Sequence, residues 1–464
     1  MNILSALVVT SPYDGSLLEE VKVANARDVE HALSVADSLA RRKSARLPLP
    51  QRLDILHNTI QLMQSEAEVL AKLATSEGGK PLTDSRIEVQ RAIDGVQCCI
   101  EALRTEAGRV IPMNLNAASS ARLAFTQKEP IGVVVAVSAF NHPLNLIVHQ
   151  VAPAVAAGCP VIVKPADDTP LSCLRFVELL HRAGLPVEWC QALVIPNLSL
   201  AQSLVTDPRV ALFSFIGSAK VGWILRSQLA AGTRCLLEHG GIAPVIVFDD
   251  ADLDDTADKL VKGAYYHAGQ VCVSVQKILA QQNVLPTLSD KLAERISRLK
   301  TGNPLDTDTD VGPLIRPREI ARIEDWVNEA VSNGASLESG GERLGSSCYL
   351  PTLLTNVTTD STLYSNEIFG PVALLQPFET PEQAFAAANS SHFAFQAAVF
   401  TQNIERMTST FRELDASAVM VNDHSAFRTD WMPFAGRKQS GLGIGGIGYT
   451  LDDMQLEKML VMPG

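Results

Sequence analysis

Between Pro130 and Val163 the chain carries no Asp, Glu, Lys or Arg. A run of 34 uncharged residues is long enough to raise the question of a membrane span. Its content argues against one: Asn141, His142, Pro143, Asn145, His149, Gln150, Pro153 and Pro160 interrupt it, and a lipid-facing helix does not carry so many polar and helix-breaking residues. The pattern predicts a buried strand at Val133–Val137, a loop, a buried helix over Leu144–Ala157 and a second buried strand at Val161–Val163. Strands apolar on both faces belong to parallel sheets covered by helices, so this segment points to an α/β protein.

The alternation extends on both sides. Helices are expected over Asp28–Lys43, from about Pro50, and over Asp84–Glu106; Ser65 with Glu68 fits a capping box, and Gly78, Gly79 and Pro81 interrupt before the long helix. Ala121–Thr126 alternates like an exposed strand. Leu193–Ile195 and Ala211–Phe215 read as further strands, the second followed by a helix over Lys220–Ala231. A second alternation starts at Val245–Val247 and runs to about Val421, with helices at Leu253–Tyr266, Thr287–Leu299 and Ile320–Val331 and strands near Val372–Leu375 and Ala418–Val421. Two doubly wound α/β domains are expected.

Composition narrows the partners. The 464 residues are 46% apolar and 19% charged, ordinary for a chain with a full core. A net charge of −12 without a Lys/Arg block argues against nucleic acid or an anionic membrane as partner. Met1–Thr10 is apolar but lacks a basic residue before Lys22, so it reads as a first strand rather than a secretory signal. Eight cysteines with no CxxC and no His-rich spacing predict neither a disulfide framework nor a metal site, and a cytoplasmic location is the expectation.

Two GxGxxG matches, Gly441/Gly443/Gly446 and Gly443/Gly445/Gly448, lie too close to the C-terminus for the acidic residue a dinucleotide fold needs about 20 positions on, and read as a glycine-rich loop. Other segments are better nucleotide candidates. Lys164-Pro165-Ala166-Asp167 follows a buried strand, where open α/β sheets bind ligands; a Lys and an acid there suit ribose hydroxyls, as they also suit a surface ion pair. Asp167 would repel a 2′-phosphate, which favours NAD over NADP. Gly217 and Ser218 follow a strand and open a helix, a place for a pyrophosphate or simply an N-cap. Cys272, after Gly269-Gln270-Val271, is a candidate thiol nucleophile or a structural cysteine. Glu238, before Gly240-Gly241, and Asn141, just after a buried strand, add an acid and an amide donor, the parts for thioester chemistry. A turn-capping Glu and a turn-forming Asn are the plainer readings.

Taken in order, Glu129–Gly132, Phe140–Pro143, Lys164–Ala166, Phe215–Ser218, Glu238–Gly241, Gly269–Cys272, Glu367–Val372 and Pro433–Gly436 resemble the motifs of the NAD(P)-dependent aldehyde dehydrogenase superfamily, over roughly Ser11–Val461. The resemblance implies that Cys272 attacks the aldehyde carbon, that Asn141 and the Cys272 N–H hold the oxyanion, and that a thioester remains after hydride leaves to the nicotinamide. Glu238 then serves as general base for its hydrolysis. It also implies that Lys164 and Asp167 hold the adenosine ribose, Gly217 and Ser218 the pyrophosphate, and Glu367 and Phe369 the nicotinamide riboside. The implied architecture is a cofactor domain (1–116 and 131–238), a catalytic domain (239–440) and a small β oligomerisation element (117–130 and 441–464), with a homodimer or homotetramer expected. The chain departs from the family at Asp167, where Glu is common, at His239, where Leu is common, and at Ala435, where Gly is common.

The segment from Val421 to Phe434 and the ending Gly446–Thr450 with Glu457–Leu460 resemble members acting on small anionic aldehydes, above all sulfoacetaldehyde and phosphonoacetaldehyde. Arg428 and Arg104, with His142 beside Asn141, are the expected substrate cations. Phosphonate-oxidising relatives often carry Arg just before the nucleophile; Val271 stands there, which favours sulfoacetaldehyde, oxidised to sulfoacetate, over phosphonoacetaldehyde, lactaldehyde or glyceraldehyde 3-phosphate. An acylating enzyme would commonly lack Glu238, and a catalytically inactive protein on this fold would not need Cys272, Glu238 and Asn141 together.

Overall fold

The structure is a computed structural model that describes residues 6–463. The first strand spans Ala6–Thr10, and the preceding part of the expected Met1–Thr10 strand lies outside the described residues. The uncharged stretch forms the strand Val133–Val137, the helix Asn145–Ala157 and the strand Val161–Lys164. Every residue of that helix is buried, including Asn145, His149 and Gln150. It packs against the long helix Leu82–Thr105. Apolar residues cover all sides of it because it is sandwiched; burying each Val or Leu contributes about 1.5–3 kcal/mol. No helix among the described residues is long and apolar enough to cross a membrane.

Six strands make the first sheet, in the order Gly441–Leu442, Arg234–Glu238, Val210–Ile216, Val133–Val137, Val161–Lys164, Cys190–Ala192. All neighbours are parallel except the first pair. The chain winds one way from Val133–Val137 and then returns to its other side, so the crevice beyond this strand and Val210–Ile216 is the switch point where such sheets bind ligands. Seven strands make the second sheet, in the order Ser336–Ser339, Thr352–Thr355, Val372–Phe378, Lys277–Gln281, Pro244–Val247, Gln396–Phe400, Ala418–Val421. Only Ser336–Ser339 is antiparallel to its neighbour. This is the expected α/β class.

Several local expectations are corrected. Ser65 ends one helix (Leu49–Ser65) and Glu66 starts the next (Ala67–Gly78); the Ser65 hydroxyl donates to the Leu62 carbonyl, so no capping box forms with Glu68. The strand expected at Leu193–Ile195 is Cys190–Ala192, because it pairs with Val161–Val163 three residues earlier. The helix expected over Lys220–Ala231 is Ala219–Arg226. The third sheet joins Arg122–Pro130 to Gln455–Pro463 and Val110–Ile111. Gly441–Leu442, from the C-terminal segment expected to build only that element, instead pairs with Leu237 and Glu238. The glycine run leads into a short helix, Ile447–Asp453, that packs on Asn145–Ala157.

Candidate active site

Four strand ends of the first sheet and three loops of the second half of the chain line one cavity. Asn141 and His142 come from the loop after Val133–Val137, Lys164 and Asp167 from the end of Val161–Lys164, Gly217 and Ser218 from the end of Val210–Ile216, and Glu238 from the end of Arg234–Glu238. Cys272, Glu367 with Phe369, and Arg428 come from the other half. Arg104 does not join them: it is exposed on the last turn of its helix. The cation that helix supplies to the cavity is Arg91, which the sequence reading missed.

The nucleophile loop is held by backbone strain and by one buried amide. His267 and Ala268 both adopt left-handed backbone conformations (φ 48° and 53°), uncommon for residues with a Cβ. Buried Gln270 fixes the turn that follows: its side chain accepts from the Ile315 N–H at 3.0 Å and donates to the Pro313 carbonyl at 3.3 Å. Asn141 Nδ2 donates to the Gln270 carbonyl at 3.0 Å, which ties the amide donor to the loop bearing Cys272. An amide nitrogen carries two hydrogens, so one remains for a substrate oxygen.

Behind Asn141, two fully buried charges stabilise the helix start. Glu88 accepts from the N–H groups of Leu144 and Asn145, each at 2.9 Å, and pairs with Lys80. A carboxylate at a helix N-terminus meets both the free N–H groups and the helix dipole.

Electrostatics favour a protonated resting site. Burial raises the Cys272 thiol above its ordinary range; Glu238 and Glu367 push it further up, and Arg428 opposes them. Burial also raises Glu238, with Arg428 opposing. Glu367 is pushed up to about 8 by burial, although it accepts from the Gly241 N–H at 3.1 Å. Gly240 makes that approach possible, since a Cβ there would lie 1.8 Å from Glu367 Oε2. His142 is not the cation the sequence suggested. Burial holds its ring neutral, with nearby Lys80 adding to the effect, and its Nε2 lies 2.9 Å from the Tyr266 hydroxyl.

The charged end of the cavity is a linked set. Arg428 packs 3.5 Å from the Phe434 ring centre, and its Nη1 lies 3.9 Å from Glu238 Oε1. Its Nη2 lies 3.5 Å from His149 Nδ1, and its Nε is buried without a partner. His149 Nε2 lies 2.7 Å from Asp430, which Arg91 grips with two bonds of 2.8 and 3.1 Å. Burial opposes ionisation of Asp430, but His149 and Arg91 together hold it well below the usual carboxylate range.

The residues at the other end fit a dinucleotide. Lys164 Nζ lies 2.9 Å from Asp167 Oδ1. Ser218 occupies the N-cap position of Ala219–Arg226, but its hydroxyl makes no capping bond and stays free for a ligand. The buried Ser138 hydroxyl, also on the cavity wall, has no partner.

Residues 4–460 match the Aldehyde dehydrogenase family. The chain is 38% identical over 456 residues to the 3-sulfolactaldehyde dehydrogenase of Priestia aryabhattai, covering 98% of this chain and 94% of that one. It is 32% identical to the sulfoacetaldehyde dehydrogenase of Neptuniibacter caesariensis, covering 98% and 99%. Among solved structures, the glyceraldehyde-3-phosphate dehydrogenase GapN of Methanocaldococcus jannaschii, complexed with NADP, superposes with a TM-score of 0.94 at 32% identity, covering 99% of each chain. The chain therefore belongs to the aldehyde dehydrogenase family, whose members oxidise aldehydes with a nicotinamide cofactor.

Proposed function

We propose that this protein oxidises a small anionic aldehyde to its carboxylic acid with NAD, and that sulfoacetaldehyde, giving sulfoacetate, is its substrate. The observation that carries the anionic assignment is Arg428. It is a largely buried guanidinium in the cavity of Cys272 and Glu238, with long contacts of 3.5 and 3.9 Å and an unpartnered Nε. A buried cation with spare donors suits a sulfonate or phosphonate oxygen. The sulfonated-aldehyde names of two relatives support the same class.

Cys272 adds to the aldehyde carbon, and its proton passes to a nearby base. Asn141 Nδ2 and the Cys272 N–H donate to the oxygen that becomes negative. When bound, the nicotinamide supplies the acceptor for the aldehyde hydrogen and its electron pair. The resulting thioester on Cys272 is hydrolysed by a water from which Glu238 takes a proton; a carboxylate raised by burial is suited to that exchange near neutral pH. Lys164 and Asp167 hold the adenosine ribose, Gly217 and Ser218 the pyrophosphate, and Glu367 and Phe369 the nicotinamide riboside.

Support for NAD over NADP is the Asp167 carboxylate beside Lys164, which opposes a 2′-phosphate. Arg316, the other cation lining that end, is engaged by Asp168. The domains follow the division 1–116 with 131–238, 239–440, and 117–130 with 441–464. Phe125, Leu456, Met459 and Leu460, exposed on adjoining strands of the third sheet, support a homodimer or homotetramer in the cytoplasm.

The test is product analysis with sulfoacetaldehyde and NAD, with and without coenzyme A, beside a Cys272→Ala variant. Free sulfoacetate independent of coenzyme A, and none from the variant, is expected. A coenzyme A ester as sole product, or an active variant, overturns the reading.

A further inference from the structure

We infer that His239 is a positioning residue for the cofactor: its ring locks the Gly217–Ser218 turn to the end of the strand that carries Glu238. The inference rests on the reading of that turn as the pyrophosphate site.

His239 is 2% exposed and lines the cavity directly after Glu238. Its Nδ1 lies 2.9 Å from the Gly217 carbonyl oxygen. A carbonyl only accepts, so Nδ1 carries the hydrogen, and in a ring that burial keeps neutral Nε2 holds the lone pair. Nε2 is buried and has no partner. The ring sits edge-on to Phe215 and Trp223, with centroids 5.6 and 5.9 Å away.

Helix Ala219–Arg226 makes room for the ring at Gly222, where a Cβ would lie 2.0 Å from His239 Cε1. The main chain already ties the same two strand ends, through the Gly217 N–H donating to the Glu238 carbonyl at 3.0 Å. The imidazole adds a second tie, on the carbonyl side of Gly217, one residue before the free Ser218 hydroxyl. A leucine at 239 would fill the space between Phe215 and Trp223 and leave the Gly217 carbonyl without a donor. The bond therefore sets where the turn presents its N–H groups, without itself touching the reacting atoms.

The test measures NAD binding by calorimetry and steady-state kinetics on three variants of the full chain. His239→Leu is expected to raise Kd and KM for NAD roughly tenfold, the scale of one lost hydrogen bond, with kcat at saturating NAD within about twofold. His239→Asn, whose Nδ2 can take the place of Nδ1, is expected to restore NAD affinity to within about twofold of wild type. Ser218→Ala tests the underlying reading and is expected to weaken NAD binding. A His239→Leu protein that binds NAD like wild type, or a His239→Asn protein as weak as His239→Leu, overturns the inference. If Ser218→Ala and His239→Leu both bind normally, the pyrophosphate reading of the turn falls and takes the inference with it. Weakening by Ser218→Ala alone removes only the role of His239.

Discussion

Arg428 and Glu238 face each other across the cavity at 3.9 Å, one charge from each half of the chain. The guanidinium lowers the carboxyl that burial raises. Removing it therefore has two separable effects. Arg428→Leu should raise KM for an anionic aldehyde at least about tenfold, the lower range for losing a charge-assisted contact, and leave KM for a neutral aldehyde of similar size little changed. It should also move the acid limb of the kcat profile to higher pH, because Glu238 loses the charge that opposes its protonation. A shift to lower pH contradicts the pairing.

Cys272 rests as a thiol in the protein without cofactor, raised by burial and by the negative charge of Glu238. Alkylation by iodoacetamide should be slow at neutral pH and speed up as pH rises. In Glu238→Gln the repulsion is gone, so the midpoint of the alkylation profile should move to lower pH. An unmoved midpoint means the two groups do not interact.

Glu88 and Lys80 are fully buried and compensate each other beneath the Asn141 loop. Lys80→Met and Glu88→Gln should each lower stability, by about 3–5 kcal/mol for Lys80→Met, because it leaves an unpaired buried charge. The double variant should lose less than the sum of the two, as measured by denaturant unfolding. Strict additivity contradicts the pair.

Glu367, raised to about 8 from an ordinary 4.5, stays protonated in the folded chain where the unfolded chain is already ionised. The folded state then binds the extra proton, so this group's contribution to stability falls as pH rises from about 4.5 towards 8. Glu367→Gln should be relatively more stable at pH 8 than at pH 5 when each is compared with wild type in urea unfolding. An equal difference at both values contradicts the raised carboxyl.

Much of this was readable in the chain because its cause is local. Val133–Val137 and Val161–Lys164 are apolar on both faces, which only a covered parallel strand requires, and the residues just beyond them must then lie at the ligand-binding edge. Arg104 and Arg91 show where such reading stops. Thirteen helical residues at about 100° each leave their side chains about 140° apart, so one faces the cavity and the other solvent. Which one faces inward depends on how Leu82–Thr105 is rotated on its neighbour, and that is set by packing against Asn145–Ala157. His142 failed for a related reason: a sequence gives the residue, but its burial beside Lys80 decides its charge. His239 stood out only as a departure, and its bond to Gly217 needed the three-dimensional placement of two strand ends.

The central claim is that a buried Arg428 makes this aldehyde dehydrogenase selective for a small anionic aldehyde. The most direct test is kcat/KM with NAD for sulfoacetaldehyde against an uncharged aldehyde of similar size. The account predicts that wild type prefers sulfoacetaldehyde by at least about tenfold and that Arg428→Leu loses that preference. Equal kcat/KM for the two aldehydes in wild type, or a preference that survives the loss of Arg428, would contradict it.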